Sequence, residues 1–501
     1  MSYLGLDIGT SGCKAVVFNE AGKEISSAYQ EYPIISLHEG WAELDSEEVC
    51  FKCFEVIHEA AQKCENDPIQ AMGISSQGEA FTPVDEKGNF MGNGMVSSDI
   101  RAASLVDEFC NSFGSEKLYH ITGHTAYPMF TLFKLIWIKQ NQPELWQKAA
   151  RFYCYEDLLH FKLGLDPAIG YPLAGRTMLF NVIEHKWDVE VLDSIGLKAS
   201  QLARPMPSGL VVGTIPTEIA SRLGLGNGVK VVTGGHDQTC GALGAGIVQE
   251  RMAMYATGTV ECITPAFKKP VFSSDLFKNN YCTYDFTVNG MYSTVAYSLT
   301  GGNILKWYRD EFALKEKEIA AISGENIYEL LLKSLHPKPT RLLVLPYFTP
   351  TGTPYFDSEI TGAILGLRFN TSRAEIMRGL LEGVAFEMRL NLDILEKSGI
   401  YIDELRAIGG GAKSRVWTQL KADVLNKPIT TVTVTEAGCF GVAMLARAAV
   451  TGIPLDQIVK EWVQISGTVY PNGENAAFYD GQFQKYVKIY SAIKHIYSRY
   501  D

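Results

Sequence analysis

The segment "VVTGGHDQTCGALGAG", residues 231–246, delivers a carboxylate, Asp237, and an amide, Gln238, to the point where an apolar strand gives way to a helix. Two glycines precede them, so a ligand can approach bare backbone. A carboxylate so placed suits a general base that takes a proton from a hydroxyl. Aspartate is also a frequent helix cap, and spacing alone leaves both roles open. A second chemistry is written twice. "DIGTSGCK" and "ATGTVE" each set a Gly-Thr turn between strand-like runs. Glycine leaves N–H groups uncovered and the hydroxyl adds a donor, a nest suited to phosphate oxygens. Asp7 before the first turn is able to hold a Mg²⁺ ion through water, and Lys14 after it brings a positive charge. "GISSQGEAFTPVD" projects Gln77 and Glu79 from a strand end, and "SSDIRA" adds Asp99 and Arg101. Such groups suit hydroxyl recognition and are equally common on solvated loops. In "IGGGAKS" three glycines lie between strand and helix, where a flat ring or a phosphate can rest on backbone before a helix N-terminus.

The elements that must position these residues follow from periodicity. Short apolar runs around each Gly-Thr turn read as strands, with "EISSAYQEYPII" a third and "IQAMGISSQ" and "AFTPVD" two more. Helix is expected from Ser46, where acidic residues fill the first turn, across Thr131 to about Phe161, and over 302–310 and 372–397. The tail after about Pro454 reads as helical, ending in one amphipathic helix, "FYDGQFQKYVKIYSAIKHIYSRY". Each half opens on a Gly-Thr hairpin and then alternates strand with helix, which points to an internal duplication. The joint falls near Gly241–Gln249.

Composition narrows the function. A chain of 501 residues is long enough for two large domains. Its net charge of −11, from 45 basic and 56 acidic residues, argues against nucleic acid or an anionic membrane as the main partner. No apolar run approaches the ~20 residues of a membrane span, and no signal-like segment precedes Tyr3, so a cytoplasmic location is expected. Ten scattered cysteines fit reduced thiols, and the Cys50/Cys53 pair on a helical pattern fits core packing better than a metal or redox role. Neither a P-loop nor a complete G-x-G-x-x-G is present, since "GGGAKS" carries Ala412 before Lys413.

Taken together and in order, the motifs resemble the FGGY family of carbohydrate kinases, from Leu4 to about Gly452. "DIGTSGCK" and "ATGTVE" resemble its two phosphate hairpins. "PMFTLFKLIWIKQN", with Lys134 and Trp137, resembles a family signature, and "GGHDQTCGALGAG" its catalytic segment. "LPYFTPTGTPYFDSEITGAILGL" and "IGGGAKSRVWTQLKADVLNKPI" resemble the C-terminal signatures, the latter lining the adenosine pocket. The resemblance implies an α/β fold of two actin-like (ribonuclease H-like) domains flanking a central catalytic cleft. Residues 1–245 would carry the acceptor site and residues 246–501 the nucleotide site and a helical tail.

It further implies transfer of the ATP γ-phosphoryl group to a sugar hydroxyl with Mg²⁺. On this resemblance Asp237 is the general base and Asp7 orients the metal. Thr10, Ser11, Lys14, Gly258 and Thr259 cradle the phosphates. Gly302, Lys306, Gly410, Gly411 and Ser414 meet the nucleoside. Gln77, Gly78, Glu79, Asp99, Arg101, Met129 and Gln238 join Asp237 on the acceptor side.

Departures from relatives bear on the acceptor. Glycerol kinases have Gln-Arg-Glu, and xylulose kinases Gln-Met-His, where this chain has Gln77-Gly78-Glu79. Gly78 is expected to open room for a longer acceptor. Ser97 or Ser98 replaces an aromatic residue, and Met129 replaces the tyrosine of glycerol kinases, which argues against glycerol. A ketose such as xylulose is the leading acceptor, with fuculose, ribulose, a polyol or a sugar acid behind it. An actin-like ATP-binding regulatory protein without sugar kinase activity is the reading from another class. A homodimer is admitted by analogy.

Overall fold

Both Gly-Thr stretches close into antiparallel hairpins because strand-forming runs flank a turn that only small residues fill. The computed structural model describes residues 1–64, 67–434 and 436–497. In the first half β1 (Ser2–Ile8) and β2 (Gly12–Asn19) pair with Asp7 opposite Lys14. The meander continues into β3 (Glu24–Glu31) and then α1 (Ser46–Gln62), whose N-terminus Asp45 caps. β4 (Ile69–Ser76) runs parallel to β1. Then come α2 (Thr131–Asn141), α3 (Tyr155–Lys162), α4 (Tyr171–Gly175), β5 (Val211–Thr214), β6 (Lys230–His236) and α5 (Asp237–Gly244). The six-stranded sheet has the order β5-β6-β4-β1-β2-β3. β4 is buried along nearly its whole length because both faces are covered.

The second half repeats this plan. β7 (Met252–Thr257), β8 (Glu261–Phe267) and the short β9 (Tyr284–Asp285), β10 (Tyr292–Ser293) and β11 (Ala296–Ser298) precede α6 (Gly302–Phe312) and α7 (Arg373–Lys397). After them come β12 (Glu404–Ile408), α8 (Arg415–Leu425), β13 (Ile429–Val432), α9 (Ala437–Thr451) and β14 (Ile465–Val469). The sheet order is β9-β10-β8-β7-β12-β13-β14, with β11 on β8. The central pairings have counterparts of the same sense in the first sheet. β7 pairs antiparallel with β8 and parallel with β12, as β1 does with β2 and β4. β13 runs parallel to β12 and antiparallel to the edge strand β14, as β6 does to β4 and β5. The duplication anticipated from the hairpins is present in the topology.

The halves are joined by two glycine-bearing helices. α5 follows β6 and α9 follows β13, and they press together so closely that a Cβ on Gly441 would lie 2.1 Å from the Cys240 carbonyl oxygen. α9 also lies on the first sheet. A Cβ on Gly5 would sit 1.8 Å from the Cys439 carbonyl oxygen, and one on Gly73 2.4 Å from that of Val442. Tyr3, Val16, Phe18, Ala71 and Val232 of that sheet share one apolar cluster with Phe440, Val442 and Leu445 of α9.

Three expectations change. The tail beyond Pro454 is not all helical, because β14 pairs with β13; its Ile-Ser-Gly-Thr-Val run carried a strand signal that the helical flanks outweighed. The helical stretch after Thr131 is broken by a strand at Arg151–Cys154. The last amphipathic pattern divides into helices Gly473–Tyr486 and Ile489–Tyr497, and its final residues, 498–500, lie outside the described residues. All ten cysteines are buried and free, Cys50 and Cys53 among them in the core. Among the described residues, no helix is long and apolar enough to cross a membrane.

Candidate active site

The first hairpin is anchored so that its tip stays open. Gly9 N–H donates to the Gly12 carbonyl at 3.0 Å, while the Gly9 carbonyl accepts from Tyr32 Oη at 2.7 Å and Gln77 Nε2 at 3.0 Å. Thr10 Oγ1 donates to Gln77 Oε1 at 3.2 Å, and Ser11 is exposed. Gln77 therefore ties the first hairpin to the end of β4 as well as lining the cavity beside it. Asp7 accepts from Ser75 Oγ at 2.6 Å. Burial pushes its carboxyl above the usual range, and the Ser75 hydroxyl opposes that rise. Lys14 Nζ reaches Glu436 Oε1 at 2.5 Å, an ion pair between the two halves and partly open to solvent.

The second hairpin is fixed from behind. Gly258 N–H donates to Val260 at 3.0 Å, and the Gly258 carbonyl accepts from Gly302 N–H at 2.8 Å, which binds the hairpin to the start of α6. Lys421 of α8 is buried under it, donating to Thr257 Oγ1 and pairing with Glu261, both at 2.6 Å. Gly258 and Thr259 remain exposed. A cavity of about 530 Å³ lies alongside, lined by Gly258, Gly302, Gly410, Gly411, Ser414 and Trp417, among others. Gly409 has φ +87° and a Cβ there would come within 2.6 Å of the Thr257 carbonyl, so the glycine turn and the hairpin touch backbone to backbone. Ser414 caps α8 by accepting from Trp417 N–H. Lys306 stands exposed on α6 about one turn past Gly302, outside that lining.

A smaller cavity, about 190 Å³, is walled by both halves: Thr10, Gln77, Glu79 and Met129 from the first, Tyr297 and Phe356 from the second. Asp237 and Gln238 open α5 at its floor. Asp237 does not cap the helix, which disposes of its structural alternative. His236 Nε2 lies 3.2 Å from Asp237 Oδ1, yet that oxygen has no hydrogen-bond partner, and neither has Gln238 Oε1. Buried acceptors without partners are rare and call for a ligand or water. Burial first, then the charges of Asp7 and Glu79, push the Asp237 carboxyl up to about 7. His236 is held neutral, its basicity lowered by burial and by Arg176, with Nδ1 3.0 Å from Tyr284 Oη.

Were Asp237 the general base, its carboxyl, raised to about 7, would lose activity as pH falls through that value. The acceptor kcat/KM should thus rise with unit slope up to about pH 7 and level off above it. A profile flat from about pH 5 to pH 8 excludes Asp237 as the titrating base.

Glu79 sits at φ 63°, a strained angle for a residue with a side chain. Its backbone carbonyl is held by Thr131 Oγ1 at 2.9 Å and by Lys134 Nζ at 3.3 Å. Lys134 is fully buried, spends its other protons on the Met95 and Val96 carbonyls, and burial lowers it to about 8. This accounts for the lysine of the signature as a brace for the segment after β4. The Glu79 carboxylate takes Arg176, at the end of α4, with Nε to Oε1 at 2.5 Å.

Arg176 was invisible in the sequence: it lies 97 positions from Glu79 and belongs to no motif. Gly78 lines the cavity beside it, and a Cβ there would lie 3.0 Å from His236 Cδ2 and 3.4 Å from Arg176 Nε, so the glycine leaves room that these two side chains approach. Asp99 and Arg101 turn toward each other. Arg101 Nη2 binds Asp99 and Glu43, each at 2.6 Å, and its guanidinium lies 3.6 Å over the Trp41 ring. Asp99 also accepts from Ala42 N–H, and of that segment Ser97 lines the cavity. Among the described residues no three His, Cys, Asp or Glu side chains gather as a metal cage.

Comparison with known proteins matches this arrangement. Residues 2–244 match the N-terminal domain, and residues 253–450 the C-terminal domain, of the FGGY family of carbohydrate kinases. A xylulose kinase of Bacillus subtilis is 26% identical over 99% of this chain and 98% of its own. A gluconokinase of Bacillus licheniformis is 25% identical over 99% and 97%. The crystal structure of a gluconate kinase from Lactobacillus acidophilus superposes with a TM-score of 0.90 at 24% identity, covering 99% of each chain, which places the two halves as actin-like domains of one fold. With both domain matches spanning nearly the whole length, and the paired hairpins and the cleft between them in place, the chain belongs to the FGGY family of carbohydrate kinases.

Proposed function

We propose that this kinase transfers the γ-phosphoryl group of ATP to a hydroxyl of a neutral ketose, with D-xylulose the leading acceptor. The observation that carries the reading is the polarity of the smaller cavity. Among the described residues its one lining arginine, Arg176, is committed to Glu79, while Asp237 and Gln238, also in the lining, carry buried oxygens, Oδ1 and Oε1, with no hydrogen-bond partner. Unpaired acceptors need donors, which hydroxyls supply and a carboxylate does not. A sugar acid would place its charge near Glu79 and Asp237 with no free cation to meet it. Relatives named xylulose kinase align along nearly the whole chain, as do relatives named gluconokinase, so the choice between the two acceptors rests on the cavity.

In the proposed reaction Asp237 takes the proton of the acceptor hydroxyl as that oxygen attacks the γ-phosphorus. The bond to the bridging β–γ oxygen breaks and ADP leaves. Thr10, Ser11, Gly258 and Thr259 offer hydroxyl and backbone donors to the phosphates from the two hairpins, and positioning supplies most of the catalysis. Asp7 fits a Mg²⁺ site, because a hard ion that keeps several waters needs only one or two protein carboxylates. Bound with ATP, that ion neutralises phosphate charge. Gly302, Gly410, Gly411 and Ser414 form the nucleoside side, and walls from both domains let closure exclude water.

An ADP-release assay over pentuloses, hexuloses, polyols and aldonates tests this. The expected result is turnover of D-xylulose at least tenfold above D-gluconate in kcat/KM, about the worth of one unmatched polar contact. Preference for the aldonate overturns the neutral-acceptor reading. Turnover of none, with ATP hydrolysis dependent on a protein partner, overturns the kinase assignment of this cavity in favour of a regulatory ATP-binding role.

A further inference from the structure

His124 lies in the wall of the acceptor cavity, outside every motif and every role given above. It follows Gly123, which ends the helix Ser115–Thr122 at φ +72°. That turn is pinned to the second domain: the Gly123 carbonyl accepts from Thr283 N–H at 2.7 Å, and a Cβ on Gly123 would sit 1.7 Å from the Thr283 carbonyl oxygen. The ring is clamped between Phe130, 5.0 Å away between centroids, and Tyr284, at 5.5 Å. His124 therefore has little freedom to turn. It is only 1% exposed.

The two ring nitrogens are chemically distinct. Nδ1 lies 2.8 Å from the Thr122 carbonyl oxygen, which can only accept, so Nδ1 carries the proton. Nε2 is then a bare lone pair. It is buried and has no hydrogen-bond partner. Burial and the neighbouring Arg176 hold the ring neutral, lowering it to about 3, so Nε2 does not become a donor near neutral pH. A buried lone pair in a polar cavity costs free energy until a donor fills the place.

We propose that His124 is a specificity-determining residue whose Nε2 accepts a hydrogen bond from one hydroxyl of the acceptor and disfavours a carbonyl or carboxylate oxygen there. The inference rests on the neutral-acceptor reading above and sharpens it to one atom. Tyr284 contacts both histidine rings, His124 on one hand and His236 beside Asp237 on the other. Sites built to hydrogen-bond a particular hydroxyl reject analogues that lack it, because the site's own polar atom is left unpaired.

The test compares wild type, His124→Phe and His124→Gln with D-xylulose, its monodeoxy analogues and D-gluconate. Phenylalanine keeps the ring without the lone pair, and glutamine returns an acceptor near Nε2. The expected result is a fall of about tenfold in kcat/KM for D-xylulose with His124→Phe, carried by KM, and partial recovery with His124→Gln. One monodeoxy analogue should lose about tenfold with wild type and little with His124→Phe. ATP affinity should match in all three proteins.

A kcat/KM for D-xylulose within twofold of wild type in His124→Phe overturns the proposal. So do equal losses for every analogue in wild type and variant, or a parallel loss of ATP affinity, which marks a packing role. If wild type does not turn over D-xylulose, the neutral-ketose reading has failed separately. His124 is then decided by the same variants on the acceptor that the screen returns, and falls if there is none.

Discussion

Asp237→Asn is expected to lower kcat for sugar phosphorylation by about a thousandfold while leaving ATP affinity unchanged. The substitution keeps shape and volume and removes the proton acceptor. Because Asp237 makes no cap to α5, the helix start should survive the change. The raised carboxyl, about 7, adds a signature, since the variant should lose the acid limb of the pH profile along with the rate. Steady-state kinetics and calorimetric titration with ATP check both halves. A kcat within a few-fold of wild type would remove the base assignment, and joint loss of ATP binding would mean that the cleft had been disrupted instead.

The second large effect belongs to Arg176→Met. Glu79 and Arg176 are almost fully buried, and removing one partner strands the other's charge. Breaking such a pair costs about 3–5 kcal/mol, whereas replacing both members with uncharged groups costs far less. Urea denaturation should show a large drop in midpoint for the first-domain transition in Arg176→Met, with much of it recovered in the Glu79→Gln/Arg176→Met double variant. The single variant should also weaken acceptor binding, since Arg176 Nε packs beside Gly78 and His236 beside Asp237. If the double variant is no more stable than the single one, the pair does not act as a unit.

Sequence and structure agree best where the signal is local. The two hairpins, the strand entering Asp237 and the capped helix after Ser372 depend on turn chemistry and periodicity within about twenty residues, and all are present. What stayed hidden depends on partners far apart in the chain. Arg176 meets Glu79 across 97 positions, and Lys14 meets Glu436 across 422. Ser97, Asp99 and Arg101 share one short segment, yet Ser97 lines the cavity while the other two form an inward clasp with Glu43 and Trp41. Alternation along a segment says that side chains diverge, not which of them faces a ligand. Met129 was legible as a difference from relatives, but the role of Gly78 depended on what fills the space opposite it.

The helix α9 has a consequence for how the protein is made. Strands β1, β4 and β6 are complete once His236 has been synthesised, yet the helix that covers their apolar face begins only at Ala437, about two hundred residues later. At ordinary elongation rates that interval is roughly ten to forty seconds. Throughout it Tyr3, Phe18 and Val232 lack the cover of Phe440, Val442 and Leu445, with Cys240 and Leu243 of α5 made soon after them. A ribosome-bound fragment ending between those points therefore presents a sheet face short of its main cover, a surface prone to association. The sheet of the first domain is laid down before the second domain and closed only by a helix that follows it in the chain.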